Sequence, residues 1–159
     1  MSAATTKTAP EAGTAGWTLL AMRLARVAGY RVGHALEELG MRTHEFAVLH
    51  YVRDAGPLSQ QDLGRALRIN PSNLVALLDA LQADGLIVRA RDPEDRRRHL
   101  VGLTADGRQR LQRARRAAED AEQQLLSPLS PAERRAFVGV LERLATDACR
   151  PGSHRSGRC

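Results

Sequence analysis

Residues 92–104 read DPEDRRRHLVGLT: Asp92, Glu94 and Asp95, then Arg96, Arg97 and Arg98, then an apolar run. Three guanidinium groups this close together suit the binding of an anion, because each presents a planar fork of donors that fits phosphate or carboxylate two bonds at a time. Asp95 is near enough to pair with Arg96 or Arg97 and hold the fork in one direction, which lowers the rotamer entropy lost when a partner arrives. A solvated turn needs no such crowding, and its surface ion pairs are worth at most about 1 kcal/mol each. Catalytic chemistry has no comparable signal. No nucleophile, base and orienting residue stand together, and there is no glycine-rich phosphate loop, so the chain is expected not to be an enzyme. His34, His44 and His50 lack the short His/Cys spacing of a zinc site, so neither a metal nor a cofactor is expected.

The elements that must position this cluster can be read from periodicity and caps. Trp17, Leu20, Leu24 and Val27, continued by Leu36 and Leu39, predict a long first helix stopped by Gly40. Thr43 is expected to cap a second helix carrying Phe46, Val48, Leu49 and Val52, which ends at Asp54-Ala55-Gly56-Pro57. Ser59-Gln60-Gln61-Asp62 is a capping-box pattern opening a short helix with Leu63, Ala66 and Leu67 on one face. Asn70 followed by Pro71 starts another helix at once, with Leu74, Leu77, Leu78 and Leu81 as its inward stripe. Ser72, Asn73, Ala76, Asp79 and Ala80 lie on its other side. Gly85 ends it. Leu86-Ile87-Val88 and Leu100-Val101-Gly102-Leu103 then read as the two strands of a hairpin flanking the Asp92-Pro93 turn. Thr104 caps a fifth helix with Leu111, Ala114, Ala118, Ala121 and Leu125 inward, and Ser130-Pro131-Ala132-Glu133 starts a last one through Phe137, Val140, Leu141, Leu144 and Ala148.

Bulk composition agrees with an anionic partner. The net charge is +6 and the isoelectric point about 10.5, which points first to nucleic acid. At 159 residues with 43% hydrophobic content the chain has the size of one folding unit. Residues 1–16 are expected to be a flexible arm and 149–159 a disordered tail, leaving 17–148 as the folded domain. No apolar run approaches the roughly 20 residues that span a bilayer. Two cysteines, Cys149 and Cys159, make no disulfide framework. A cytoplasmic protein with no membrane partner is the expectation.

Two short helices joined by a tight turn, the second with a polar outer face, describe a helix-turn-helix, whose second helix enters the roughly 12 Å wide major groove of DNA. The hairpin after it makes a winged version. Leu58 to Gly107, LSQQDLGRALRINPSNLVALLDALQADGLIVRARDPEDRRRHLVGLTADG, resembles the MarR (multiple antibiotic resistance regulator) family. The Asp-x-x-Asp-Arg-Arg turn followed by Leu-Thr-x-x-Gly is the most diagnostic stretch. The resemblance implies a mainly α winged helix-turn-helix with a small β-hairpin wing. It implies a DNA-binding lobe at about 58–103, and N- and C-terminal helices at about 17–39 and 104–148 forming a dimerisation region. It also implies a cytoplasmic homodimeric repressor on a pseudo-palindromic operator in double-stranded DNA.

In such a protein the wing arginine enters the minor groove, where negative potential is concentrated, and the match carries that role to Arg96 and Arg97, oriented by Asp95. Arg98 is a candidate phosphate contact, as are Arg65 and Arg68; Ser72 and Asn73 sit where a helix start meets base edges or phosphate. Ser72 and Asn73 are also ordinary helix-start residues. No Lys or Arg occurs from Ile69 to Val88, and Ala76 stands where many family members carry a basic residue. Ala76 suits a thymine methyl, so recognition is expected to lean to A·T, with the wing supplying much of the affinity. Family members commonly release DNA on binding a small aromatic anion. The polar or aromatic residues near that crevice are Trp17, Arg23, Tyr30, His34, His44, His50 and Tyr51. The neutral recognition helix leaves a second reading, a winged-helix protein-interaction module without specific DNA binding.

Overall fold

The structure, a computed structural model, describes residues 16–93, 95 and 99–148. Among these residues it is mainly helical with one small antiparallel sheet. In chain order the elements are α1 (Gly16–Glu37), α2 (Thr43–Ala55), β1 (Leu58–Ser59), α3 (Gln60–Leu67), α4 (Pro71–Ala83), β2 (Ile87–Arg91), β3 (His99–Leu103), α5 (Ala105–Leu125) and α6 (Pro131–Ala148). Two compact units share the chain, with a boundary between Ala121 and Glu122 inside α5.

The first unit holds the core. Leu74, Leu78 and Leu81, one stripe of α4 at helical spacing, are fully buried with Val48, Leu49 and Val52 of α2, Leu63 of α3 and Val101 of β3. Leu36, Met41 and Ile87 join them, and Leu111 and Ala114 bring in the start of α5. Leu77 is only partly buried, and Ala66, expected on the inner face of α3, is exposed. Eight residues are barely two turns, so α3 buries only Leu63 completely. The sheet order is β1-β3-β2, with Leu58 opposite Val101 and Ile87 opposite Leu103. The expected hairpin is present and longer than its apolar residues suggest, because backbone pairing continues through Arg89 to Arg91. The two-residue β1 was not expected. It is too short to show alternation, and Ser59 serves both as its end and as the N-cap of α3.

The caps explain most element boundaries. Ser59 Oγ accepts from the Asp62 amide at 3.2 Å, and Asn70 Oδ1 accepts from the Ser72 amide at 3.0 Å, with Pro71 pre-set for the first helical position. Thr43 does not cap α2. Arg42 occupies that position, since the Glu45 carboxylate accepts from the Arg42 amide and from Arg42 Nε, both at 2.8 Å. The helix is thereby started one residue earlier, with Thr43 inside it.

Thr104 and Gly107 hold the start of α5. Thr104 Oγ1 donates to the Gly85 carbonyl at 2.6 Å and accepts from the Gly107 amide at 2.9 Å. The Leu-Thr-x-x-Gly stretch is therefore a joint: the same threonine caps the helix and ties it to the turn between α4 and β2. Farther along α5, Arg110 donates to the carbonyls of Leu39 and Gly40, satisfying backbone acceptors beyond the end of α1.

In the second unit Ser130 and Glu133 form the expected capping box. Glu133 Oε2 accepts from Ser130 Oγ at 2.7 Å and from the Ser130 amide at 2.8 Å. The Ser130 hydroxyl, then its backbone N–H, hold the Glu133 pKa below the ordinary carboxylate value. A depressed folded-state pKa contributes stability above the unfolded value and loses it as pH falls through the folded value. A carbon-detected NMR titration is expected to place the Glu133 midpoint below those of unpaired glutamates, and Ser130→Ala to raise it part of the way back. Equal midpoints in the two proteins would count against this cap.

Candidate nucleic-acid interface

Helix α3, the turn Arg68-Ile69-Asn70 and α4 form the helix-turn-helix. The turn is short enough to require a left-handed residue, and Arg68 takes it at φ 53°. A side chain in that region costs roughly 1–2 kcal/mol. Gly64 permits the close approach of the two helices, since a Cβ there would stand 3.1 Å from Leu74 Cδ2. With Leu74, Leu78 and Leu81 buried, α4 turns Ser72, Asn73, Ala76 and Asp79 outward, all exposed. The Ser72 hydroxyl donates to Asn70 Oδ1 at 2.9 Å. Ser72 thus takes part in the helix start, while Asn73 one residue on lies exposed.

Arg65 and Arg68, on the α3 side of the turn, are exposed. Arg65 pairs with Asp62 at 2.5 Å, an exposed pair that a phosphate can replace at little cost. On the other side of α4 the hairpin runs outward to the Arg91–His99 pair. Asp95, in the segment joining the strands, is exposed. Arg96, Arg97 and Arg98 lie outside the described residues. Sequence reasoning missed a contact between α4 and the hairpin: Arg89 Nη1 of β2 donates to Asp79 Oδ1 of α4 at 2.6 Å. No local spacing rule joins a helix residue to a strand residue ten positions later, so the sequence carries no signal for it.

The ligand candidates are spread over α1 and α2. His44 lines a cleft of about 300 Å³ with Arg42, Ile69, Asn73, Ala76 and Leu77. Trp17, Arg23 and Tyr30 are exposed on α1. The Tyr30 and His34 rings lie 6.3 Å apart at a tilt of 43°, and His34 faces Glu38 at 3.5 Å. His50 reaches Asp54 at 3.1 Å and meets the Phe46 ring edge-on, whereas Tyr51 packs against the core.

A sequence profile of the MarR family matches residues 39–98. The uncharacterized HTH-type transcriptional regulator YkoM of Bacillus subtilis (strain 168) is 30% identical over 107 residues, 67% of this chain and 70% of that protein. The chain belongs to the MarR family. A putative transcriptional regulatory protein for the hcr operon of Thauera aromatica is 35% identical over 62% of this chain. The match spans only 60% of that relative's own length. Among solved structures, the Mycobacterium tuberculosis MarR family protein Rv2887 in complex with DNA is 27% identical, with a TM-score of 0.72 over 84% of this chain and 98% of that one. Bordetella bronchiseptica BpsR, described by the regulation of its DNA binding by 6-hydroxynicotinic acid, is 28% identical, with a TM-score of 0.69 over 86% and 98% of the two chains. The MarR winged helix is therefore the architecture of this chain as well, with a sheet of three strands including the short β1.

Proposed function

We propose that this MarR family member is a DNA-binding transcription regulator, a homodimeric repressor that reads a pseudo-palindromic operator and is released by a small aromatic anion. The observation that carries this reading is the outward face of α4. Ser72, Asn73 and Ala76 stand exposed in its first turns, Arg65 and Arg68 are exposed in α3 and the turn before α4, and α4 packs against both α3 and β2. An apolar-cored helix with that outer face fits a major groove, and the flanking cations fit the adjoining phosphates. The DNA complex of Rv2887 supports the same assignment.

Pairing of two copies rests on apolar surface left uncovered in a single chain. On α1, Trp17 is 63% and Leu20 60% exposed, and on α6, Leu144 is 62% exposed. Large apolar side chains exposed in this number mark an interaction surface. The ligand reading rests on the cleft between Arg42, His44 and α4. An aromatic carboxylate there would have to share the Arg42 guanidinium with Glu45, would find apolar contact at Ile69 and Leu77, and would cover Asn73 and Ala76, so it would compete with DNA for the same face. The absence of Lys and Arg from Ile69 to Val88 favours the second reading, a protein-interaction module.

Selection of bound duplexes from a random-sequence pool, followed by binding across a salt series, separates the two. A regulator is expected to enrich an inverted repeat with half-sites about one helical turn apart, and log affinity should fall linearly with log salt. Failure to enrich any sequence would remove the operator from the account and favour the interaction module.

A further inference from the structure

We infer that Asp79 and Arg89 form a strut that sets the wing in register with the recognition helix, so that Asp79 acts in DNA binding as a positioning residue without being a contact. This inference rests on the reading of α4 and the hairpin as a DNA interface. Asp79 lies on the outward face of α4, one turn beyond Ala76, and is 57% exposed; Arg89, in the middle of β2, is 25% exposed. Their bond of 2.6 Å is a direct polar tie between the element that would lie in the major groove and the strand that carries the wing. Arg89 Nε and Nη2 are buried and have no hydrogen-bond partner among the described residues. Asp79 is therefore the anchor that fixes where this guanidinium, and the strand beneath it, sits.

The physical requirement is geometric. A helix in the major groove and a wing over the minor groove bind the same duplex together only if their separation matches it, and a pre-set separation avoids an ordering cost at the moment of binding. β2 and β3 extend past this tie by two further cross-strand pairs, Ala90–Leu100 and Arg91–His99. A small rotation of the hairpin about its base would be amplified at its tip, and the tie lies between base and tip.

The strut makes a prediction opposite in sign to simple electrostatics. Removing a carboxylate from a DNA-facing surface tightens binding on charge grounds alone. Asp79→Ala is expected instead to weaken binding to the pool-selected duplex about 10-fold, measured by fluorescence anisotropy on the full-length chain. Alanine is the best helix former, so α4 should keep its helicity, and the melting temperature should move by only a few degrees. The Asp79→Ala/Arg89→Ala double variant should lose no more than the weaker single variant, because the two act as one unit. Replacing A·T pairs by G·C under the wing should penalise the wild type more than Asp79→Ala, a readout that general destabilisation does not produce. Unchanged or tighter binding by Asp79→Ala, or strictly additive losses in the double variant, would overturn the strut. A wild-type chain that enriches no duplex overturns the DNA reading itself, a separate result from duplex binding that is indifferent to Asp79.

Discussion

Gly107→Ala is expected to unfold most of the protein at temperatures where the wild type is stable. A Cβ at this position would lie 1.9 Å from the Leu86 carbonyl oxygen and 2.9 Å from its carbon, whereas ordinary carbon–oxygen contacts fall near 3.3 Å. The obstacle is backbone, and it is held in place: the Thr104 amide donates to the same Leu86 oxygen at 3.2 Å. Thr104 in turn bonds to Gly85 and to the Gly107 amide. Relief therefore requires α5 to move off the turn before β2, breaking this joint and shifting Leu111 and Ala114 out of the core. Overpacking a flexible core typically costs about 1–3 kcal/mol, and a clash against fixed backbone belongs with the exceptional changes above about 4 kcal/mol. At roughly 2–4 °C per kcal/mol for a chain of this size, the melting temperature should fall by about 10 °C or more. Gly85→Ala gives a graded comparison. Gly85 has φ +69° and open space where a Cβ would go, so its cost is the left-handed strain of about 1–2 kcal/mol. Thermal melts that ranked Gly85→Ala as the more damaging change would show that the joint yields and that this account of Gly107 is wrong.

Neutralising Arg96 and Arg97 together is expected to abolish operator binding at physiological salt while the fold and the pairing of chains persist. These two side chains lie outside the described residues, and the case for them combines their sequence with the hairpin that carries them. β2 and β3 pair through Arg91–His99, so residues 92–98 are the connection at the hairpin's outer end. The outward face of α4 supplies no cation of its own. A guanidinium contact of this kind is worth roughly 1–3 kcal/mol, and each substitution would appear twice in the proposed homodimer, so a loss of about 100-fold or more is expected. The slope of log affinity against log salt should also flatten, by about one for each phosphate contact removed. Circular dichroism and sedimentation should match the wild type. Operator affinity within a few-fold of wild type, with the fold intact, would remove the wing arginines from the interface and move the affinity to Arg65 and Arg68.

Much of this arrangement was legible in local patterns, because the signals involved are local. Asn70-Pro71 and Ser130-Pro131 combine a side-chain cap with a proline of pre-set φ, and both helices begin there. Leu74, Leu78 and Leu81 repeat at the helical period, so α4 could bury only one face. Where local signals competed, the pattern misled. Thr43 is a better cap by residue type than Arg42, but Glu45 reaches back to the residue before it. Ala66 matches the inner stripe of α3 by type, but it is exposed, and Leu67 beside it packs against the core instead.

What the amino-acid order alone determined is the succession of the helices and of the two hairpin strands and the outward-facing residues of α4, since each follows from neighbours three to five positions apart. The short β1, the left-handed Arg68, the contact of Gly107 with the Leu86 carbonyl and the Asp79–Arg89 bond came from the folded chain. These depend on how helices and strands approach one another in space, a distance that no spacing along the chain encodes.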